Sequence, residues 1–575
     1  MKAVKSSSLI ITLLFIFTGH SQKKDSETLA ECIKSYEKQR SYDFEQSESV
    51  ANTISFYQKE ADFASKLIEN LAAINPESLT ESEKISAELL RFVLQDKIDT
   101  HTYKMYLNPI TSESAFHLNL SSIADRSFAN YKQVKDYLQQ LHSLPKKIDY
   151  NLDLLRAGIK ARISQPKEVF GDYGFTYNKH IILDYTLSEF YKPFNNLPES
   201  LTKEQKDSVL LAAKLSIKND VIAQYKKIKT FFETEYFPNT RTDLGVTTTP
   251  NGKAFYQNRI NFYTTSTAYS AEDIHQIGLK EVARIRAKMQ EIIDDLDFKG
   301  SFADFLNFLR TDAQFYAKSP KELLMLARDI AKRIDGQLPK YFKTLPRKPY
   351  GVEPVPEAIA PKYTAGRYSG ARNETSSGSY WVNTYNLPSR TLYTLPALTA
   401  HEAVPGHHLQ ISLNNELSKS IPKFRRNLYL SAYGEGWGLY SEYLADEMDI
   451  YTTPYERFGQ LTYEMWRACR LVVDTGVHAK GWTRQQVIDY MASNTALSMH
   501  EVTTETDRYI SWPAQAISYK IGEIKIRALR EKAETILKDK FDIRDFHEVI
   551  LGEGTVTLSI MENKVNSYIK AVKNE

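Results

Sequence analysis

The chain has 575 residues, of which 42% are apolar and 25% charged, and its net charge is +3. Such a length exceeds one small domain, so two or three domains, or one large helical body with lobes, are expected. The absence of a long Lys/Arg run excludes an extended nucleic-acid surface, and a count of two cysteines, Cys32 and Cys469, excludes a disulfide scaffold.

The first residues read as a targeting segment. Lys2 and Lys5 precede an apolar run from Leu9 to Phe17, and Thr18-Gly19-His20-Ser21 offers small residues before the chain turns polar. That order predicts a secretory signal over residues 1–21 and an exported protein, periplasmic or secreted. The run is short for a membrane span of roughly 20 residues, no cysteine follows it closely enough for a lipid anchor, and no stable membrane insertion is expected. An oxidising compartment would allow a bridge between the two cysteines. Cys469 sits in an amphipathic run and reads as a small core residue; neither cysteine reads as a nucleophile.

From about residue 25 to 240 the pattern is helical almost throughout. Arg126 to Arg162 spaces its apolar residues by three and four, with Pro145 marking a break. Thr202-Lys203-Glu204-Gln205 has the form of a capping box opening a helix toward Phe232. Chemistry-bearing clusters are absent, so residues 22–245 read as a helical scaffold or lid and 246–575 as the catalytic region. Tyr236 to Thr267 is rich in Asn, Thr and Gly and reads as loops or a hairpin. Helices resume at Ser270-Ala271-Glu272-Asp273 and at Ser319-Pro320-Lys321-Glu322, the latter ending at Gly336.

Residues 345 to 395 carry six prolines and a Gly/Ser patch, which argues against helix. Tyr380 to Tyr385 has strand composition; it is expected to lie along a cleft and hold extended peptide by main-chain pairing, with Asn383 facing the substrate. From Thr399 helices continue to the end. The fold class is therefore mainly α: a large multi-helical body with a small β-sheet beside the active-site helix.

The chemistry is concentrated in His401-Glu402-Ala403-Val404-Pro405-Gly406-His407. A helical His-Glu-x-x-His sets two imidazoles on one face to hold zinc, with the glutamate as general base. Here two extra residues intervene, and on an ideal helix a residue six positions on points about 120° away. Pro405 lacks the N–H that would bond the His401 carbonyl, and Gly406 permits unusual dihedrals. A bulge of two residues would restore His407 to the second ligand position. His408 is the rival, on the His401 face but about 10 Å along the axis. A third protein ligand leaves one position open for water. Glu435, flanked by Gly434 and Gly436, is favoured; Glu442, seven residues on and on the same helical face, reads as ligand or as partner to one.

These runs resemble the bacterial domain of unknown function 885 family. The resemblance rests on His401 to Gln410, on Glu435-Gly-Trp-Gly-Leu-Tyr440, on Arg470 to His478, and on Asp507-Arg508-Tyr509 through Pro513 to Tyr519. It covers nearly the whole mature chain and is densest from about 360 to 525. The family is similar to zinc peptidases whose third ligand is a glutamate on a later helix, which implies a metallopeptidase-like fold and Glu435 in that role. Peptidases of that kind use a tyrosine or histidine outside the metal shell for the oxyanion, and His478 and Tyr519 are the candidates. Asp474, four residues before His478, would orient its imidazole, and Arg508 would bind a substrate carboxylate.

The expectation is a hydrolase with one zinc per chain, held by His401, His407 and Glu435, in which Glu402 activates the metal-bound water to cleave peptides. A zinc hydrolase of a non-peptide amide or ester uses the same attack, and manganese or cobalt could replace zinc. A non-catalytic envelope protein with a metal-braced fold would need a closed fourth position, for instance at His408. Oligomeric state and end preference are not encoded in these patterns.

Overall fold

The structure, a computed structural model, describes residues 23–40, 54–118, 120–357, 359–360 and 363–574. The expected signal segment lies outside them. No helix among the described residues is long and apolar enough to cross a membrane. The chain divides into two compact units, one running to Leu79 and again over Leu90–Gly252, the other formed by Thr80–Leu89 and Lys253–Glu575.

The first unit is helical. Its longest helix, Tyr131–Lys160, passes through Pro145 without ending there. Proline costs a helical hydrogen bond. The buried stripe of Leu141, Leu144, Ile148 and Leu152 nevertheless continues across it, and packing of that face holds the helix. Thr202 and Gln205 form the expected capping box, and the helix they open runs through two π-helical stretches to Tyr236.

The second unit opens with another departure from the sequence expectation, because Gly252–Thr264 is a helix rather than loops. Its composition is poor for a helix, but Tyr256 and Ile260 are buried and the Tyr256 hydroxyl donates to Asp474 at 2.6 Å. The expected caps follow. Ser270 opens α1 (Ala271–Asp295) in a capping box with Asp273, and Ser319 opens α2 (Pro320–Asp335), which ends at Gly336.

A three-stranded sheet comes next: β1 (Tyr350–Pro354), β2 (Gly366–Ser369) and β3 (Gly378–Val382). The order is β1-β3-β2, with β3 parallel to β1 and antiparallel to β2. The strand expected at Tyr380–Tyr385 is therefore displaced toward its N-terminus and is the central one. Both of its edges are paired, so a substrate cannot extend the sheet along it.

The sheet lies beside α3 (Leu395–Glu402), which carries the chemical motif, and α4 (His407–Glu416) follows after a break. Then come α5 (Ser431–Glu447), α6 (Pro454–Lys480), α7 (Met499–Ser511) and α8 (Ser518–Leu537). Helix α6 packs on α1, where Gly278 lets Leu471 and Val472 come close. Helix α8 packs on α5, and its fully buried Lys520 is ringed by Glu281, Glu464 and Glu523. Cys32 and Cys469 are both buried free thiols, so the bridge that the compartment would allow is not formed.

Candidate metal centre

His401 and Glu402 sit on the last turn of α3. The helix stops there: Ala403 leaves the helical region (φ −91°, ψ −108°) and His407 begins α4. The two extra residues thus make a helix break rather than a bulge within one helix. The break is tight. The Gly406 N–H donates to the Ala400 carbonyl at 3.0 Å, the His408 N–H to the Ala403 carbonyl at 3.0 Å, and a Cβ on Gly406 would lie 1.9 Å from the His401 carbonyl oxygen. Only glycine fits. The Trp437 indole N–H donates to the Pro405 carbonyl at 2.8 Å and fastens the break to α5.

The outcome is that the His401 and His407 rings meet nearly at right angles (87°) with centroids 4.8 Å apart. Glu435 of α5 comes up against both. Its Oε2 lies 3.5 Å from His401 Nε2 and 3.4 Å from His407 Nε2. These three residues form a group whose ligand atoms all lie within 4.8 Å of one another, the one such group among the described residues.

The glycines of α5 explain how a helix can approach so closely. A Cβ on Gly438 would strike the His401 ring at 2.7 Å, one on Gly436 the Gly522 backbone of α8 at 2.6 Å, and one on Gly434 the Tyr429 ring at 2.5 Å. Glu435 is presented between two of these contacts. Glu442, two turns further along α5 and fully buried, accepts a 2.7 Å hydrogen bond from His401 Nδ1. That contact holds Nδ1 on Glu442 and leaves Nε2 facing Glu435, so Glu442 orients His401 while Glu435 stands in the group that could hold a metal. Arg467, held against the Tyr463 and Trp466 rings, lies 3.4 Å from Glu442.

Electrostatics follow from this crowding. Burial alone would lower the His401 imidazole; the carboxylates of Glu435 and Glu442 instead carry it up to about 10. Burial would likewise raise the Glu435 carboxyl, but the two imidazoles hold it well below the usual carboxylate range. Two imidazole nitrogens and one carboxylate oxygen are a donor set that suits zinc. Glu402 belongs to the same cluster, and its Oε2 accepts the Tyr368 N–H of β2 at 2.8 Å.

A family described as bacterial proteins of unknown function, DUF885, matches residues 45–565. The chain belongs to this family. Two solved structures share the fold. One, a presumed lipoprotein from Colwellia psychrerythraea, is 27% identical with a TM-score of 0.84, the match covering 96% of this chain and 100% of that one. The other, a presumed lipoprotein of unknown function from Shewanella oneidensis, is 19% identical with a TM-score of 0.70, covering 94% and 99%. No curated protein matches the sequence.

Other residues singled out in this DUF885 chain fall elsewhere. His408 stands 3.0 Å from the Tyr368 hydroxyl and 3.3 Å from Ser412, and burial pushes its imidazole down to about 4. His407 rather than His408 joins the ligand group. His478 is fully buried and its Nε2 donates to the Tyr509 carbonyl at 2.9 Å. Asp474 takes the Tyr256 hydroxyl and the Ala514 N–H, so its carboxylate braces the backbone. Asn383 is also fully buried: its amide donates to the carbonyls of Ala360, Tyr363 and Thr364, and its oxygen accepts the Tyr385 N–H. It clamps the chain leaving β3 with both ends of its amide in use. Arg508 is engaged by Glu505 at 3.1 Å and Gln515 at 2.5 Å. Tyr519 is half-buried, with its hydroxyl 3.5 Å from Arg508.

Two contributors were beyond sequence reasoning. Tyr368 acts through its backbone N–H, which carries no side-chain signal. Tyr429, just before α5, donates its hydroxyl to Glu435 Oε1 at 2.6 Å; the glycine at 434, which makes room for its ring, was the one available hint.

Proposed function

We propose that this protein is an exported, zinc-dependent hydrolase, and specifically a metallopeptidase. The observation that carries the reading is the convergence of His401, His407 and Glu435 next to a glutamate held by the edge of a sheet. Zinc bound there would lower the pKa of a water toward neutrality and polarise the scissile carbonyl.

The chain's own residues do the rest. With Oε2 fixed by the Tyr368 N–H, Glu402 takes the proton of the attacking water on its other oxygen and delivers it to the leaving nitrogen. Glu442 holds His401 in the tautomer that offers Nε2. Tyr519 remains the candidate for the developing oxyanion, because the His478 Nε2 is committed to a backbone carbonyl. A closed structural site would need a fourth protein ligand, and His408, one candidate, is turned to Tyr368 and Ser412. Peptides are the proposed substrates; a non-peptide amide or ester would be cut by the same groups. The description of two structural relatives as lipoproteins supports export, as does the leader over residues 1–21.

The test is Glu402→Gln. The variant should keep wild-type zinc content by elemental analysis and lose peptide hydrolysis by several orders of magnitude, read by mass spectrometry of a digested peptide mixture. Full activity in the zinc-loaded Glu402→Gln variant refutes the mechanism.

A further inference from the structure

The Glu435 carboxylate is divided between two tasks. Oε2 faces the Nε2 atoms of both histidines at 3.4 and 3.5 Å, whereas Oε1 accepts the Tyr429 hydroxyl at 2.6 Å. A carboxylate oxygen that accepts so short a hydrogen bond is a poorer donor to a cation, which favours the other oxygen. Tyr429 is also built in rather than incidental. Its ring occupies the space above Gly434, where a Cβ would meet ring atoms at 2.5 to 2.8 Å. The residue before the ligand is therefore kept small to seat the residue that grips it. The residue as a whole is 46% exposed, but its hydroxyl is turned in to Glu435, and Glu402 is among the charges acting on it.

We propose that Tyr429 is a positioning residue that fixes Glu435 as a one-oxygen ligand and so keeps a coordination position open. The inference rests on the zinc reading above. A glutamate free to rotate could engage the cation through both oxygens and fill that position. The hydroxyl at 2.6 Å opposes this by making the second oxygen an acceptor already in use.

Tyr429→Phe removes the hydroxyl and keeps the ring. With the full-length chain, the zinc dissociation constant is measured by competition with a chromogenic chelator, and the oxygen ligands are counted by X-ray absorption on the zinc-loaded protein. The expected results are a roughly 10- to 100-fold weaker affinity, of the order seen when a ligand's partner is removed, and one additional oxygen on the metal. Gly434→Ala, which retains the hydroxyl but displaces the ring, should move both readouts in the same direction. The double variant should be no worse than Tyr429→Phe alone. Tyr519→Phe should leave both unchanged. Circular dichroism and the thermal midpoint establish that each variant is folded.

Unchanged affinity and oxygen count in Tyr429→Phe overturn the assignment. Lost activity with both unchanged also overturns it, since Tyr429 would then act on the substrate. Equal zinc binding by wild type and variant sinks this inference alone, whereas a wild-type chain that takes up no zinc sinks the hydrolase reading together with it.

Discussion

At the scale of single residues, the centre depends on groups that do not touch the ion position. Glu442 is fully buried and its bond to His401 sets which ring nitrogen is available. Replacing it by alanine should weaken zinc binding roughly 10- to 100-fold, and glutamine, which keeps an acceptor but no charge, should lose less. Chelator competition measures both, and an alanine variant with wild-type affinity would remove Glu442 from the centre. This role was half-legible in sequence: the seven-residue spacing from Glu435 put both carboxylates on one helical face, but spacing does not say which ring atom each meets. Asn383 and Arg508 show a related limit. A polar side chain near a motif looks available until the carbonyls and carboxylates that surround it are known.

At the scale of elements, the site exists because α5 can lie close to α3 on one side and α8 on another. The crossing with α8 is glycine against glycine: a Cβ on Gly522 would stand 1.9 Å from the Ala432 carbonyl oxygen, and one on Gly436 2.6 Å from Gly522. Gly522→Ala should therefore cost about 1–3 kcal/mol by overpacking and lower the thermal midpoint by several degrees. It should also weaken zinc binding, because Glu435 rides on the helix that must shift. An unchanged midpoint by calorimetry would mean that the crossing has slack. The capped helices opening at Thr202, Ser270 and Ser319 were legible because a cap is a local hydrogen-bonding pattern. Helix Gly252–Thr264 was not, since its support is the distant Asp474.

At the scale of the whole molecule, both units bury neutral histidines. Burial pushes His117 down to about 3 and His180 to about 4 in the first unit, and His547 to about 3 and His408 to about 4 in the second. Below about pH 6.5 the unfolded chain takes up protons that the folded chain refuses, so stability falls as the pH falls. At about pH 5 each such histidine costs about 2 kcal/mol by this linkage. Asp474 works the other way: burial pushes its carboxyl up to about 7, so it is protonated more readily in the folded state and offsets roughly one histidine as the pH falls. The net expectation is a marked loss of thermal stability between about pH 6.5 and 5, measured by scanning calorimetry. A midpoint constant across that window would contradict it.

The sequence by itself determined the helical character of the chain, the family, the position of the small sheet ahead of the motif and the candidate ligands. Each of these rests on local periodicity, capping or a short ordered run. Only the tertiary structure brought His407 rather than His408 into the group that could hold a metal, and gave Glu442 its place beside His401. It alone brought Tyr368 and Tyr429 to the centre and showed the partners that His478, Asn383 and Arg508 hold within the protein. The physical reason is that a ligand is defined by where its lone pair points, and direction is set by neighbours from distant parts of the chain. The break at Val404-Pro405-Gly406 is the clearest case. The residues announce that a regular helix must fail, but the packing of Trp437 and Gly438 fixes where the chain goes afterwards.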